Sequence, residues 1–463
     1  MNNFSNINKL IGFQDKFSRD LSFTNKLEKE FIEFVETWGY EQVRTPVLER
    51  SDLFNSKTGT SLTSNIYSFR DPSGTEVSLR PDFTSSIMRM ILEKELDYSD
   101  IPLRFSYTGE IFRYNSEADN FISQNGIELI GNSNLVSDIE VLSMSINFSK
   151  KIVGDDLYVK VGHVGILTDI FSFYNLSDRE SLFILQNLDF ISSEKSVEII
   201  LKKANQTGII IDDGIPSVDK KELSDVEISK MLDFAFSEDS NFNQTRDKDS
   251  ILEGIKNNFS KNSNSKNFSE CISLISKLIN IDTNLDESVS LANELLVKIP
   301  VKKNLSDFYT IVKNLENYNI DISNFKIDFG LVREWGYYSG FVFNLYAKGF
   351  GDNNSFGGGG RYDYSSKTNQ IPATGFAVDT EKILENSILS NIKKNTKKII
   401  IYAKDKKDFE FAQRTSFEER NTGSVVLLDT MTSNLDKVID WAKKNDFSEV
   451  MVINQNNVER KRV

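Results

Sequence analysis

Nine consecutive residues, Ser123-Gln124-Asn125-Gly126-Ile127-Glu128-Leu129-Ile130-Gly131, constrain this chain more than any other stretch. Side chains alternate between the two faces of a strand, so Ile127 and Leu129 share one face while Gln124, Gly126 and Glu128 share the other. The polar face sets an amide and a carboxylate on either side of a glycine, which leaves room above the sheet. Such a platform suits a ligand that offers an imidazole N–H or an amino group. A strand whose polar face simply meets water has the same pattern, and this stretch alone does not separate the two.

The rest of the chain supplies layers for such a strand. Phe23, Leu27, Phe31, Phe34, Val35 and Trp38 recur at spacings of three and four, which predicts one apolar stripe on a helix that stops at Gly39. Tyr40–Leu48 reads as one extended segment, with Pro46 near its end. Strands are predicted at Ile66–Phe69, Glu76–Arg80, Leu103–Tyr114, Gln124–Ile130 and Leu157–Val161, with a long helix over Leu135–Ile152. Between about 170 and 320 helical patterns such as Ser196–Ala204, Asp225–Phe236 and Asp286–Val297 dominate, interrupted by a polar excursion at 238–268. Strands return at Phe325–Phe329 and Gly336–Ala347, followed by the glycine run Gly357–Gly360 and a strand leading into a helix over Ala373–Leu389. Lys398–Ala403, Ser424–Asp429 and Glu449–Ile453 alternate with helical stretches and predict a small βαβαβ unit, whose basic end Arg460-Lys461-Arg462 reads as solvated. The fold class is α+β. Its expected parts are an antiparallel-sheet core in two pieces (1–168 and 323–392), a helical insertion (169–322) and a small α/β domain (396–463).

Composition narrows the function classes. No run of about 18 apolar residues occurs, so no spanning helix is expected. The start Met1-Asn2-Asn3-Phe4 has no basic and apolar leader, and a lone cysteine, Cys271, fits a reducing compartment, so a cytoplasmic location is expected. One histidine, His163, and one cysteine leave no His/Cys cluster for zinc, so no metal site is expected. His163 reads as a packed loop residue and not as a catalyst. The net charge of −13 argues against gripping a long phosphate backbone, although local basic patches can coexist with an acidic total.

Three further constellations carry chemistry. In Leu79-Arg80-Pro81-Asp82-Phe83-Thr84 an Arg, an Asp and a Thr follow a strand and can hold the charged ends of an amino acid; equally, Asp82 or Thr84 can cap the next helix. In Gly109-Glu110-Ile111-Phe112-Arg113-Tyr114 the guanidinium of Arg113 needs an anion, either a ligand phosphate or a neighbouring Glu. In Gly330-Leu331-Val332-Arg333-Glu334-Trp335-Gly336-Tyr337-Tyr338-Ser339-Gly340, Arg333 opens onto two tyrosines. The glycine run that follows reads as a Gly-rich loop that allows close backbone approach, but it is no P-loop, because no Lys-Ser/Thr succeeds it.

The order and spacing of these pieces resemble the class II histidyl-tRNA synthetase group over roughly residues 10–390. Gly39–Leu48 resembles motif 1, Phe112-Arg113-Tyr114 motif 2, and Ala373-Thr374-Gly375-Phe376-Ala377 motif 3. Leu331-Val332-Arg333 with Tyr337-Tyr338, and Gly358–Asp363, resemble the two histidine-specific signatures. The resemblance implies a class II synthetase-like antiparallel sheet. It also implies a histidine pocket made of Asp82, Thr84, Gln124, Glu128, Arg333, Tyr337 and Tyr338, with Arg113 as a phosphate or anion contact. By the same resemblance Asp82 holds an ammonium, and Glu128 with Tyr338 reads an imidazole.

The departures from the family pattern bear on the activity. Leu-Arg-Pro-Asp replaces the synthetase Leu-Arg-Pro-Glu, and the aspartate form resembles the regulatory subunits of ATP phosphoribosyltransferase, as does Gly162-His163-Val164-Gly165. The loop after motif 2, Asn115-Ser116-Glu117-Ala118-Asp119-Asn120, is acidic where a synthetase is basic, and two carboxylates there repel a triphosphate. Glu381 is followed by Lys382 where the family has its ATP-binding arginine, and a lysine cannot reproduce a bidentate stacked guanidinium. The C-terminal unit resembles a truncated anticodon-binding domain. The resemblance therefore implies a non-catalytic regulatory subunit, without catalytic residues or cofactor. Its expected partners are the short-form catalytic subunit, in a hetero-octamer of four plus four, and L-histidine as feedback effector; neither membrane nor tRNA is expected to bind. The rival from another class is a divergent histidyl-tRNA synthetase using ATP, Mg²⁺ and tRNA, which accounts better for the retained Arg333. A free-standing histidine-binding module is a third reading.

Overall fold

The computed structural model describes residues 8–55, 65–98, 101–115, 120–191, 194–210, 265–333, 337–351, 354–365, 370–386, 397–429, 434–445, 447–455 and 457–463. The chain divides into two compact units, residues 1–388 and 389–463. In chain order the first begins with α1 (Ser18–Glu36), β1 (Glu41–Gln42), β2 (Leu48–Arg50), α2 (Asp52–Asn55), β3 (Ser68–Arg70), β4 (Glu76–Leu79), α3 (Thr84–Glu93), β5 (Leu103–Phe112) and β6 (Phe121–Ile130). Next come α4 (Leu135–Val153), β7 (Leu157–His163), α5 (Val164–Phe173), α6 (Asp178–Gln186), α7 (Glu194–Gln206), α8 (Ser265–Ile279), α9 (Leu285–Leu295) and α10 (Lys302–Lys313). The unit closes with β8 (Phe325–Ile327), β9 (Tyr338–Ala347), β10 (Gly357–Ser365), β11 (Gln370–Asp379) and α11 (Thr380–Asn386).

Eight strands form the main sheet in the order β1-β5-β6-β11-β10-β9-β7-β8. The outer pairs β1/β5 and β7/β8 are parallel and every pairing between them is antiparallel. The α+β class with an antiparallel core sheet is as expected. One face of the sheet is covered by helices. Phe31 on α1, with no exposed surface, packs its ring edge-on against Phe148 of α4 at 5.0 Å and Phe376 of β11 at 6.2 Å. Phe23, Leu27 and Val35 are buried beside it, so the predicted stripe is the buried stripe. Ile127 and Leu129 are fully buried, and Phe376 stands directly opposite Ile127, so this helix-covered face is the apolar face of β6. The other face is left for Gln124, Gly126 and Glu128.

Two expectations need correction here. Tyr40–Leu48 is not one strand. The Thr45 and Pro46 carbonyls leave the ladder to accept hydrogen bonds from the Arg80 guanidinium at 2.8 and 3.4 Å, which splits the stretch into β1 and β2. The glycine run is not a loop either: Gly357–Gly360 opens β10, in the middle of the sheet between β9 and β11.

The helical part between β7 and β8 is described for 164–191, 194–210 and 265–324, while the predicted helix Asp225–Phe236 and nearly all of the 238–268 excursion lie outside the described residues. Among the described residues no helix is long and apolar enough to cross a membrane.

The second unit consists of β12 (Lys398–Ala403), α12 (Phe409–Asn421), β13 (Val425–Leu428), α13 (Leu435–Lys444), β14 (Glu449–Asn454) and β15 (Asn457–Arg462). Its sheet order is β13-β12-β14-β15. Alternation along β12 and β14 sends Ile399, Ile401, Met451 and Ile453 toward Ala412 on α12, and Ile400, Tyr402, Val450 and Val452 toward Val438 and Ala442 on α13. The basic end is not a loose tail. It forms β15, antiparallel to β14, where Arg460 donates to Glu449 at 3.0 Å; the charges stay wet because this is an edge strand.

Candidate functional site

Cross-strand register puts a trough of small residues on the face of the sheet turned away from α1 and α4. One row runs Tyr107, Gly126, Ala377, Gly358, Asn344, and the next runs Phe105, Glu128, Gly375, Gly360, Val342. A carboxylate thus projects from β6 over a floor of glycine. A Cβ on Gly375 would collide with the Ile127 carbonyl and with Glu128 Oε2, so a glycine opposite this carboxylate is a steric requirement of the site.

Glu128 is only 3% exposed. The Thr84 hydroxyl donates to Oε1 at 2.6 Å and the Tyr362 hydroxyl donates to Oε2 at 2.7 Å. Burial pushes the carboxyl up to about 7; the two hydroxyl donors pull it down, and the charge of Asp82 adds to the rise. Around it stand tyrosines. Tyr337 stacks on Tyr362 with centroids 4.8 Å apart and meets Tyr338 edge-on at 4.8 Å, while Tyr107 stacks on Phe83 at 4.3 Å. Burial, then the Glu128 charge, raises Tyr107, Tyr337 and Tyr362 well above the usual phenol range. All three therefore stay neutral, and Tyr362 acts as a hydroxyl donor.

Asp82 lies at the entrance to α3 and accepts from the Ser85 backbone N–H at 2.7 Å, so it does cap the helix while its charge reaches Glu128, Tyr107 and Tyr337. Thr84 turns away from capping and gives its hydroxyl to Glu128. Arg80 is bound up in the fold. It is buried, stacks over Phe83 at 4.0 Å and donates to the Glu110, Thr45 and Pro46 carbonyls, which staples β4 to its neighbours. Arg113 donates from Nε to the Pro81 carbonyl at 2.8 Å, and its charge reaches Tyr107.

Arg333 lies over Gly358, on the same face as Glu128, and donates to the Asn344 side chain and, at 3.4 Å, to the Phe343 carbonyl. A Cβ on Gly358 would collide with its Nη1, which explains why this position in a central strand carries no side chain. Gln124 is half-buried opposite Asp379, whose carboxyl is raised by burial. The fold thus brings Thr84, Glu128, Tyr337 and Tyr338 into one cluster with Asp82 at its edge, and sets Gln124 and Arg333 further along the same face.

Two members of the cluster were not expected from sequence, Tyr107 and Tyr362. Tyr362 stands in the Gly-Gly-Arg-Tyr-Asp run, and the period-two alternation of β10 that aims it at Glu128 is hidden by four glycines. Its neighbour Arg361 points to the opposite face and pairs with the buried Asp138 at the start of α4, with Nε–Oδ1 at 3.0 Å and Nη2–Oδ2 at 2.9 Å. Its remaining donors reach the Asn132 and Asn134 carbonyls, so one side chain ties β10 to the turn after β6.

A second polar group lies at the far end of β6. Lys16 forms an ion pair with Glu381 and donates to Ser123 Oγ at 2.8 Å, while the Ser123 N–H donates to Glu381 Oε2 at 2.7 Å. Phe13 stacks on Phe121 at 6.0 Å, and the Asn120 N–H reaches the Gly12 carbonyl at 2.8 Å. The segment before α1 is thereby fastened across the end of β6. Lys382 donates to the Ser355 carbonyl at 2.8 Å. Of the acidic loop only Asn115 and Asn120 are described; 116–119 lie outside the described residues. His163 is buried at the end of β7 with Nδ1 unpartnered, and burial lowers it to about 4, so it is a neutral packed residue.

Comparison with known proteins places this arrangement. The family model described as histidyl-tRNA synthetase matches residues 12–205 and 244–383, more than half of the chain. The histidine–tRNA ligase of Methanococcus vannielii is 26% identical over 453 residues, covering 96% of this chain and 92% of that protein. That of Methanocaldococcus jannaschii is 27% identical over 458 residues, covering 98% and 93%. Among solved structures, a Bacillus halodurans protein called an ATP phosphoribosyltransferase regulatory subunit/histidyl-tRNA synthetase aligns with a TM-score of 0.66 at 21% identity, over 98% of this chain and 99% of that one. The histidyl-tRNA synthetase of Nostoc sp. aligns equally well, with a TM-score of 0.66 at 17% identity over 99% and 95%.

Proposed function

The chain belongs to the histidyl-tRNA synthetase family, and from that premise we propose that it is a member that senses histidine without activating it, as the regulatory subunit of ATP phosphoribosyltransferase. The observation that carries this reading is the contrast between the two ends of β6. At one end a buried carboxylate, two hydroxyl donors and stacked tyrosines form a closed, apolar-walled cluster of the kind that orients one small ring. In this reading Glu128 and Tyr338 face the imidazole, Asp82 the ammonium, and Thr84, Gln124, Arg333 and Tyr337 complete the histidine pocket.

At the other end, the groups a synthetase turns toward ATP serve the chain itself. Glu381 is paired with Lys16, Lys382 is bonded to the Ser355 carbonyl, and Arg113 Nε is bonded to the Pro81 carbonyl. Adenylation needs donors aimed at the developing charge on phosphorus, and here Arg113 and Lys382 each spend one of their several N–H groups on a backbone carbonyl of the chain. The likeness to the Bacillus halodurans protein, whose name includes the regulatory subunit, is compatible with this role.

A second reading, a divergent histidyl-tRNA synthetase, has its own support. The ligases named above are matched over more than nine-tenths of their length, and Arg333 still lies on the pocket face. Reconstitution separates the two. Mixed with a short-form catalytic subunit, ATP and phosphoribosyl pyrophosphate, the protein is expected to switch on pyrophosphate release, and histidine to suppress it. A catalytic subunit equally active with and without this chain, and no co-elution of the two, would remove the regulatory role.

A further inference from the structure

The surroundings of Glu128 contain an imbalance of charge that bears on the form in which a ligand enters. Each of its oxygens already accepts one hydroxyl, and among the described residues no Lys, Arg or His side chain bonds to it. The described side chains that face it are neutral or acidic. The approach to α3 gives Thr84 and Asp82, β5 gives Tyr107, β9 and the turn before it give Tyr338 and Tyr337, and β10 gives Tyr362. Tyr40, further off, is bonded to Glu140, which pairs with Arg104. Two described cations share this side: Arg113, whose influence is registered at Tyr107 and not at Glu128, and Arg333, which lies over Gly358 and donates to the Asn344 side chain. The two hydroxyl donors favour the ionised carboxyl over the acid, and a neutral ring would leave that buried carboxylate without a cation beside Asp82, which is the costly case.

We propose that this site, taken as the histidine pocket argued above, binds the ring as imidazolium, with both ring N–H groups protonated and one of them donating to the Glu128 carboxylate. The pocket thus selects a doubly cationic effector, ammonium toward Asp82 and imidazolium toward Glu128. No covalent bond changes; one proton is drawn from or returned to solvent. The bound pair carries one proton. Free Glu128, raised to about 7, and a free imidazole at about 6.5 together carry one proton near pH 6.8. Above that pH they carry fewer and binding takes up a proton, about 0.9 at pH 8; below it they carry more, and about 0.7 is released at pH 6. Affinity accordingly peaks near neutral pH and falls as pH rises above it.

Two measurements on the full-length wild-type chain test this. Calorimetric titration with L-histidine at pH 8, in buffers of different ionisation enthalpy, is expected to show uptake of close to one proton. ¹⁵N spectra of ring-labelled histidine bound at pH 8 are expected to show both ring nitrogens protonated. Affinity that stays level or rises above pH 7, or a bound ring that is neutral at pH 8, overturns the inference and leaves the histidine reading standing. Absence of histidine binding at every pH, with the protein folded, overturns the histidine reading and the inference with it.

Discussion

Alanine at Glu128 is expected to weaken histidine binding by roughly 30-fold to several thousand-fold, because truncating one member of a buried, hydrogen-bonded charged contact costs about 2–5 kcal/mol. The variant also strands the Thr84 and Tyr362 hydroxyls, each of which donates to this carboxylate. In the reconstituted phosphoribosyltransferase the predicted signature is a complex that still assembles and turns over but no longer responds to histidine. Titration calorimetry on the isolated chain and inhibition curves on the complex should agree. Unchanged inhibition in Glu128→Ala would move the sensor elsewhere.

The same carboxyl destabilises the unliganded fold. Its unfolded form ionises near 4.5 and its folded form near 7, so the cost is absent below pH 4.5 and grows to about 3 kcal/mol above pH 7. Glu128→Gln, close to isosteric, is therefore expected to raise the urea midpoint of the unliganded protein at pH 8 and to do so far less at pH 5.

The second large effect concerns Arg361, which no ligand is expected to touch. Removing it leaves Asp138, 3% exposed, without its bidentate partner, and breaking a buried pair from one side costs about 3–5 kcal/mol. Burial already holds the Asp138 carboxyl above the usual range against the pull of Arg361. Without the guanidinium it rises further, so the penalty in Arg361→Ala is full at high pH and shrinks as pH falls and Asp138 takes up a proton. Urea denaturation at pH 8 and pH 5.5 reads both the size and the sign. A loss under about 1 kcal/mol at pH 8 would mean that the clamp between β10 and α4 does not hold the sheet.

What the sequence shows plainly is what periodicity controls. The β6 alternation and the α1 stripe are statements about faces, and both faces are where the pattern puts them. Periodicity fails where side chains are missing or redirected. Gly357–Gly360 has no side chains to alternate, so a central strand reads as a loop and Tyr362 goes unnoticed with it. Arg80 has the composition of a ligand contact, yet the Thr45 and Pro46 carbonyls, left over from the break there, and the Glu110 carbonyl of β5 claim it. Lys16 carries no local signal at all, because its partners Ser123 and Glu381 are more than 100 and more than 350 residues away in the chain. Asp82 shows that two readings of one residue need not compete: it caps a helix and charges the pocket edge.

Histidine-dependent ATP–pyrophosphate exchange, measured on the purified chain with Mg²⁺, tests the central claim that this family member binds histidine but no longer activates it. Exchange is expected at background under conditions in which the same protein binds histidine by calorimetry. Exchange above background would show that Arg113, Arg333 and Lys382 still assemble an adenylating site, and the chain would then be a working synthetase.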